Sequence, residues 1–193
     1  MQAVVYVHGF QGSPRSAKAR QLGKALARER NTVAYRVPAL GFEPRAAMRA
    51  VENTLDELAA AGCAAPVLVG SSMGGFYASC LAERRALRAV LVNPAVRPFE
   101  LFRHRLGPVE NPWTGERHVL CEADLDALRE YDVPRLSRPA DCLLMLQTGD
   151  ETLDWRQAWQ KYVDCPVVKL IGGNHAFEHF EDTFPLLYRF AGL

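Results

Sequence analysis

Short apolar runs rich in β-branched residues recur along the chain, and segments with helical periodicity separate most of them. The apolar runs are predicted strands at Ala3–Val7, Thr32–Val37, Pro66–Val69, Arg88–Val92, Cys142–Gln147 and Pro166–Ile171. The predicted helices are Pro14–Arg30, Pro44–Ala61, Met73–Arg84, Asp124–Tyr131, Leu153–Tyr162 and a last one near Phe177–Phe190. Ser13 is the predicted N-cap of the first helix, with Pro14 as its first residue. Since the strands lack polar–apolar alternation, the pattern predicts a compact α/β fold, with a mostly parallel six-stranded sheet and helices on both faces.

One connection is much longer than the others, because about 45 residues (94–139) separate the fourth and fifth predicted strands. It is rich in proline and contains the turn-like segment Asn111-Pro-Trp-Thr-Gly115. A connection of this length inside a compact domain is usually a functional insert. We therefore predict a single domain over residues 1–193 with a helical insert or cap at about 94–139. A helical crossover that merely fills space is the alternative.

Composition and charge narrow the classes of partner. The chain has 193 residues, of which 49% are hydrophobic and 23% charged, with a net charge of +1, as in an ordinary globular protein. A charge near zero without long basic or acidic runs disfavours nucleic acid or an anionic membrane as the main partner. No apolar stretch approaches the ~20 residues of a membrane span, and the chain opens directly into a predicted strand, so we predict a cytoplasmic protein.

The cysteines are odd in number and scattered, with no Cys-x-x-Cys spacing, and several fall inside apolar runs. This usage favours reduced and mostly buried thiols. The residues concerned are Cys63, Cys80, Cys121, Cys142 and Cys165.

A Gly-x-Ser-x-Gly motif lies between a predicted strand and a predicted helix. It is Gly70-Ser-Ser-Met-Gly74, with Ser72 at its centre. In that context the motif is typical of a nucleophile elbow, a sharp turn that lifts the serine hydroxyl out of the sheet. Ser72 would lie at a helix N-terminus, where free backbone N–H groups and the helix dipole favour developing negative charge. Ser72 is therefore the candidate nucleophile.

A serine hydroxyl becomes a good nucleophile when a histidine takes its proton and a carboxylate orients that histidine. The chain offers both in loops directly after predicted strands, with Asp150 in residues 148–151 and His175 in residues 172–175. The carboxyl ends of parallel strands meet at one edge of the sheet, so both loops should lie near Ser72. The chain order serine, aspartate, histidine is that of α/β hydrolases. We predict Ser72 as nucleophile, Asp150 as acid and His175 as base.

Other residues compete for these two roles. Glu151 and Asp154 are alternatives for the acid, but Asp150 directly follows the strand-end glycine and Asp154 resembles the first turn of a helix. Among the remaining histidines, His104 and His118 lie in the insert, where a solvated side chain is the default. His8 follows the first strand and could act as base, but it is better interpreted as a support for the neighbouring loop.

Acyl transfer also needs preorganised donors for the oxyanion of its transition state. The backbone N–H of Met73, directly after the nucleophile, is the first predicted donor. The second is expected from the loop after the first strand, at the N–H of Phe10. Gly9 and Gly12 keep that loop close to the site.

A second motif overlaps the predicted base. His175-Ala-Phe-Glu178-His179 matches His-x-x-Glu-His, a pattern of some zinc peptidases. Zinc would need both histidines on one helical face and a third ligand. The preceding Gly-Gly-Asn segment places His175 in a loop, and only 14 residues follow His179. We therefore predict a mechanism without a metal or other cofactor.

With elbow, acid and base combined, the chain resembles the α/β-hydrolase serine esterases and, more narrowly, the small bacterial YqiA-type esterases, which are related to YcfP. The resemblance implies a compact sheet that lacks the first strands of larger hydrolases, and a triad of Ser72, Asp150 and His175. It also implies carboxylesterase activity on short acyl esters and possible thioesterase activity on acyl-CoA. The segments that carry it are His8–Phe10, Ser13–Lys18, Gly70–Gly75, Val92–Leu101, Glu110–Gly115, Gln147–Glu151 and Gly172–Phe177.

The predicted function is that of a serine carboxylesterase, with a small acyl ester as substrate. An acyl-CoA thioesterase is the first alternative, in which Arg15, Lys18 and Arg20 would hold the CoA phosphates. A degenerate hydrolase fold that only binds ligands is the second, since fold does not determine function.

Apolar residues of the insert are the predicted lining of the acyl pocket. Plain core packing is the alternative for them. They are Phe99, Leu101, Phe102 and Trp113.

Overall fold

The computed structural model describes residues 1–63 and 65–193. Its strands are β1 (Ala3–Val7), β2 (Ala34–Arg36), β3 (Val67–Ser71), β4 (Ala89–Val92), β5 (Gly107–Glu110), β6 (Arg117–Leu120), β7 (Cys142–Gln147) and β8 (Val167–Leu170). Six of them form one sheet in the order β2-β1-β3-β4-β7-β8. Every neighbouring pair in this sheet is parallel, so the predicted sheet is confirmed.

The helices are α1 (Ala17–Glu29), α2 (Pro44–Ala60), α3 (Met73–Arg85), α4 (Pro98–Phe102), α5 (Glu122–Glu130), α6 (Trp155–Lys161) and α7 (Phe184–Ala191). The last predicted helix is shorter than expected, because a 3-10 turn over Phe180–Thr183 precedes α7. Within residues 1–63 and 65–193, none of the helices has the length and hydrophobicity to cross a membrane.

The predicted start of the first helix is wrong. α1 begins at Ala17, and the Ser13 hydroxyl accepts a hydrogen bond from the Arg15 backbone N–H (3.1 Å). Ser13 and Pro14 therefore build a turn ahead of the helix. A serine before proline fits a serine turn as well as an N-cap. In both, the serine hydroxyl accepts a hydrogen bond from the backbone N–H two residues further along the chain.

Helices cover both faces of the sheet, and the side chains of each strand divide between them. In β1, Val5 and Val7 pack into a core with residues of α2 and α3. Val4 and Tyr6 point to the opposite face, into a core with residues of α1 and α7. Successive side chains of a strand point to opposite faces. Because both faces are covered, all five residues of β1 are buried and apolar.

The segment between β4 and β7 contains helices α4 and α5, which pack against each other. Between them lies an antiparallel hairpin of β5 and β6, in which Pro108 pairs with Val119 and Glu110 with Arg117. The prediction of a helical insert is therefore incomplete, since the hairpin was not predicted. We call β5, β6 and their connecting residues the insert hairpin.

Four of the five cysteines are buried free thiols, as expected from their positions in apolar runs, and Cys121 is exposed. Burial raises the pKa of Cys80 to about 11 and that of Cys142 to about 12. Cys80 and Cys142 therefore stay protonated and behave as small apolar side chains.

Candidate active site

Ser72 lies on a sharp turn between a strand and a helix. β3 ends at Ser71 and α3 begins at Met73, so Ser72 alone makes the connection. Its backbone has φ 55° and ψ −122°, a conformation that non-glycine residues rarely adopt. Such strain persists when neighbouring structure holds it. Here the Ser72 N–H donates to the Val92 carbonyl (3.0 Å), and its carbonyl accepts from the Ala95 N–H (3.0 Å).

The motif glycines let other backbone segments pass close to this turn. A Cβ atom on Gly74 would lie 1.9 Å from the Val7 carbonyl oxygen and 2.6 Å from that of His8. A Cβ atom on Gly70 would lie 2.3 Å from the Gly74 carbonyl oxygen. No real Cβ approaches backbone so closely, so both positions require glycine. The close approach brings the end of β1 next to the N-terminus of α3.

Ser72, His175 and Asp150 form a continuous chain of hydrogen bonds. The Nε2 atom of His175 is 3.0 Å from Ser72 Oγ, and its Nδ1 is 2.8 Å from Asp150 Oδ2. The three residues follow different strands, β3, β8 and β7, at one edge of the sheet. The Asp150 side chain is 1% exposed and that of His175 is 22% exposed. The structure thus brings together the three side chains that the sequence singles out.

The environment of Asp150 sets its charge and the tautomer of His175. Burial alone raises the pKa of this carboxyl, but hydrogen bonds from His175 and from the backbone of Leu153 and Thr152 lower it, and the net shift is downward. Asp150 is therefore a carboxylate at neutral pH. A carboxylate beside Nδ1 favours the tautomer that carries its proton there. Nε2 is then left as the acceptor that faces the Ser72 hydroxyl.

The alternative acids have other partners. Glu151 accepts a hydrogen bond from the His175 backbone N–H (2.9 Å), which lowers the pKa of its carboxyl. Asp154 caps α6 by accepting from the Arg156 N–H (3.0 Å). Among residues 1–63 and 65–193, Asp150 is the one carboxylate hydrogen-bonded to the imidazole ring of His175.

Two buried polar residues that sequence reasoning missed hold the loop of His175. Gln147, at the end of β7, accepts with Oε1 from the N–H groups of Asn174 (3.1 Å) and Glu178 (2.9 Å). Asn93, directly after β4, donates to the Asn174 carbonyl (3.1 Å) and accepts from the Gln147 N–H (2.9 Å). Both side chains are at most 3% exposed. The sequence feature that could have identified them is a polar residue at the end of an apolar strand.

Lys18 of α1 reaches the same loop from outside. Its ammonium donates to the carbonyl of Ala176, next to His175, at 2.7 Å. Burial lowers the pKa of Lys18 to about 8, although the nearby charge of Asp150 raises it. Arg15 and Arg20, the other cations predicted to hold CoA phosphates, are exposed.

The loop after β1 lies beside Ser72, as expected of an oxyanion loop. A Cβ atom on Gly9 would lie 3.1 Å from Ser72 Cβ. Met73 is the first residue of α3, so its N–H has no acceptor within the helix. In the described ranges, the N–H groups of Phe10 and Met73 both lack a hydrogen-bond acceptor. Both groups are therefore available to a ligand.

His8 supports this loop from below. It is 3% exposed, its Nδ1 donates to the Gly9 carbonyl (3.0 Å), and its Nε2 accepts from the Leu40 N–H (3.2 Å). Burial lowers the pKa of its imidazole. Because both ring nitrogens bind backbone groups, His8 is not placed to act as a base.

A cavity of about 410 Å³ lies between α4 and residues 152–157. Ala95, between two of its lining residues, donates to the Ser72 carbonyl, so one wall is bonded to the elbow. The lining consists of Pro94, Val96, Glu100, Leu101, His104, Thr152, Leu153, Asp154 and Gln157.

The predicted pocket residues have different surroundings. Leu101 lines the cavity. The ring of Phe102 packs on that of Phe10, with centroids 4.6 Å apart, and Phe99 lies beneath the guanidinium of Arg129. Trp113 is 61% exposed on the insert hairpin. Phe99, Phe102 and Trp113 do not line the cavity beside α4.

The His-x-x-Glu-His segment does not form a helix. Residues 174–179 form turns and irregular segments, and His179 has φ 56°, the left-handed conformation. His175 and His179 therefore do not share a helical face. Across residues 1–63 and 65–193 there is no group of three or more His, Cys, Asp or Glu side chains placed to hold a metal ion.

The parallel sheet and the strand–serine–helix elbow define an α/β-hydrolase fold, and solved structures share it. Est1E from Butyrivibrio proteoclasticus with bound ferulic acid has a TM-score of 0.72 at 15% identity, covering 100% of this chain and 90% of that chain. Mouse alpha/beta hydrolase domain-containing protein 10 has a TM-score of 0.71 at 15% identity, covering 97% and 87%. Paleococcus ferrophilus monoacylglycerol lipase has a TM-score of 0.68 at 17% identity, covering 98% and 94%. At such identities the similarity shows the fold alone.

The family assignment comes from the sequence. Residues 3–192 match the family described as "Uncharacterised protein family (UPF0227)", which is the YqiA family. The chain belongs to this family. The resemblance to YqiA-type esterases is thereby confirmed over nearly the whole chain.

Proposed function

We propose that this protein is a serine carboxylesterase that hydrolyses short-chain acyl esters through an acyl-enzyme. The observation that carries the proposal is the hydrogen-bonded chain from Ser72 Oγ through His175 to the buried Asp150 carboxylate. Its position at a nucleophile elbow, beside two available backbone N–H groups, supports acyl transfer over other uses of this fold.

In the first half-reaction, Nε2 of His175 takes the proton of Ser72 as Oγ attacks the ester carbonyl carbon. The Asp150 carboxylate stabilises the imidazolium that results. His175 then returns the proton to the leaving alkoxide as the carbon–oxygen ester bond breaks. An acyl group is left on Ser72 and an alcohol departs.

The second half-reaction releases the acid. His175 takes a proton from water as the water oxygen attacks the acyl-enzyme, and the tetrahedral intermediate collapses with the return of that proton to Ser72 Oγ. In both halves, the N–H groups of Phe10 and Met73 stabilise the oxyanion. One such donor is typically worth about 3 kcal/mol of the activation barrier.

We assign the acyl group to the cavity beside α4, whose apolar wall includes Val96, Leu101 and Leu153. This replaces Phe99 and Trp113 as the preferred acyl contacts, because neither lines the cavity. Phe102 keeps an indirect role in the proposal, since its ring packs on Phe10 of the oxyanion loop. The hydrogen bond from the Ala95 N–H to the Ser72 carbonyl (3.0 Å), which joins one wall of this cavity to the elbow, supports the assignment.

An acyl-CoA thioesterase would use the same three residues. Of the predicted phosphate-binding cations, however, Lys18 already donates to the Ala176 carbonyl. Only exposed Arg15 and Arg20 would remain for three phosphate groups. These contacts favour a neutral ester over a thioester of CoA.

The experiment is a series of p-nitrophenyl esters and acyl-CoA thioesters of increasing chain length, assayed with wild type and Ser72→Ala. We expect hydrolysis of the short esters, and loss of at least about 10⁴-fold in kcat for Ser72→Ala. Ser71→Ala is the matched control, because the neighbouring serine is buried in β3 and should keep activity within about tenfold. Turnover by Ser72→Ala comparable to wild type would overturn the proposal. A salt-sensitive KM for acyl-CoA would instead favour the thioesterase.

A further inference from the structure

The insert hairpin is bonded to the loop after β1 at two points. The side-chain amide of Asn111 donates to the Gly12 carbonyl at 2.8 Å. In the opposite direction, the side-chain amide of Gln11 donates to the Glu110 carbonyl at 2.9 Å. These bonds join residues 99 positions apart in the chain. The backbone that carries Phe10 is thus tied to the end of β5.

Asn111 is held rigidly in this position. It is 2% exposed, and its Oδ1 accepts from the N–H groups of Trp113 (2.9 Å) and Thr114 (3.3 Å). Its own backbone N–H donates to the Glu116 carbonyl (2.8 Å). Because Oδ1 faces two donors of the hairpin turn, the amide nitrogen must point at Gly12. The orientation of the donor is therefore fixed by the hairpin itself.

The hairpin also supports the ring of Phe10. Phe10 packs between Phe42 and Phe102, with ring centroids 5.1 Å and 4.6 Å away. Phe42 in turn stacks on His118 of β6, and its N–H donates to the side chain of Glu116 (3.3 Å). The hairpin thus bonds to the loop directly through Asn111 and Glu110, and it supports the ring of Phe10 indirectly through Phe42.

The loop needs such support because its backbone is strained. Gln11, directly after Phe10, has φ 55°, a conformation that costs a non-glycine residue about 1 kcal/mol or more. Without the two bonds to the hairpin, the segment would relax toward negative φ and rotate the Phe10 N–H. A shift of about 1 Å in a catalytic donor is enough to cost about 10²-fold in rate.

We infer that the insert hairpin is a clamp on the oxyanion loop and that Asn111 is a positioning residue for the Phe10 N–H. The inference rests on the proposed function, since it assigns the hairpin a part in the same acyl transfer. Met73, the other donor, lies in α3 and is independent of the clamp. Loss of Asn111 should therefore weaken one of the two donors and leave the other intact.

The test is Asn111→Asp. The carboxylate keeps an oxygen for the Trp113 and Thr114 N–H groups, but it places a second oxygen where an amide donated to Gly12. We expect kcat for p-nitrophenyl acetate to fall about 30- to 100-fold per active site, with KM within about threefold. Affinity for a trifluoromethyl ketone, which forms a tetrahedral adduct, should fall by a similar factor. Arg117→Gln is the control, because it breaks the exposed Arg117–Glu110 ion pair of the hairpin without touching the loop, and it should leave kcat unchanged.

Active sites are counted by titration with a fluorophosphonate, so a loss of folded protein is separated from a loss of rate. Labelled wild type together with an inactive Ser72→Ala supports the esterase proposal. If, in addition, Asn111→Asp keeps kcat per labelled site within threefold of wild type, the clamp is refuted and the esterase proposal stands. If Ser72→Ala stays active, the esterase proposal itself fails. Should Asn111→Asp not fold, Gln11→Met decides, because it removes the second bond from an exposed side chain. A fall of at least threefold in kcat per site supports the clamp, and an unchanged kcat overturns it.

Discussion

Replacing Asp150 with asparagine tests the hydrogen-bonded chain at its buried end. Asp150 Oδ1 accepts from the backbone N–H groups of Thr152 (2.9 Å) and Leu153 (2.8 Å). In Asp150→Asn the amide oxygen must take this place, because the reverse orientation would turn an NH₂ group toward two donors. Thr152 is exposed and Leu153 is half-buried, so the reverse orientation would leave at least the Leu153 N–H without its acceptor, at a cost of about 1–3 kcal/mol. The amide nitrogen is therefore forced into the position of Oδ2.

That position lies 2.8 Å from Nδ1 of His175. Oδ1 is 3.0 Å from the same nitrogen, but it already accepts from two backbone N–H groups. Because Nδ1 faces the amide N–H donor at the shorter distance, we expect it to become an acceptor, so that the ring proton moves to Nε2, which points at Ser72 Oγ from 3.0 Å. A protonated Nε2 cannot take the serine proton. We expect kcat to fall about 10⁴-fold, or about 5 kcal/mol in activation free energy, with KM little changed.

Initial rates with p-nitrophenyl acetate, normalised to folded protein by circular dichroism, measure the effect. Glu151→Gln is the matched control, since its side chain can still accept from the His175 N–H and should stay within about fivefold of wild type. Asp150→Asn with more than a tenth of the wild-type kcat would refute the reasoning. An equal loss in Glu151→Gln would show that Glu151 is the acid.

Two further predictions concern the scaffold. Gly74→Ala should lower the free energy of unfolding by about 3 kcal/mol in urea melts, because its Cβ would lie 1.9 Å from the Val7 carbonyl oxygen. An unchanged midpoint would contradict that packing. Lys18 should titrate near pH 8 in NMR spectra of the ¹³C-dimethylated protein, since burial lowers its pKa from 10.5, and a midpoint above 10 would contradict the burial. Between pH 8 and 10.5 the folded state has lost a proton that the unfolded state keeps, so the Lys18 contribution makes stability rise with pH.

The main sheet and the meeting of the three candidate site residues could be predicted because their signals are local. β1 and β7 are uninterrupted apolar runs, and their predicted bounds agree with the structure. The chemistry-bearing residues Ser72, Asp150 and His175 directly follow such runs. In a parallel sheet, that placement is enough to put them at one edge.

The insert hairpin could not be predicted in the same way. Its strands are only four residues long, and β5 begins with Gly107 and Pro108, both poor strand formers. The residues of β5 alternate between half-buried and exposed, so no apolar run marks them. The contacts of the hairpin are with residues that lie far away in the chain, namely Phe42 ahead of α2 and Gln11 and Gly12 in the loop after β1.

Asn93, Gln147 and Asn111 were missed for a different reason. Their partners are backbone groups of distant loops, up to 99 residues away. A backbone N–H or carbonyl is present at almost every position, so the partner carries no sequence signal. Only the fold shows that these buried amides hold the loops of His175 and Phe10.

The most direct measurement of the central claim is the site at which a fluorophosphonate attaches. Only a serine activated by a base reacts readily with this reagent, so wild type is incubated with it, digested and mapped by mass spectrometry. We expect the adduct on Ser72, with labelling at least about 10³-fold slower in His175→Ala. An unlabelled Ser72, or labelling that is as fast without His175, would contradict the account.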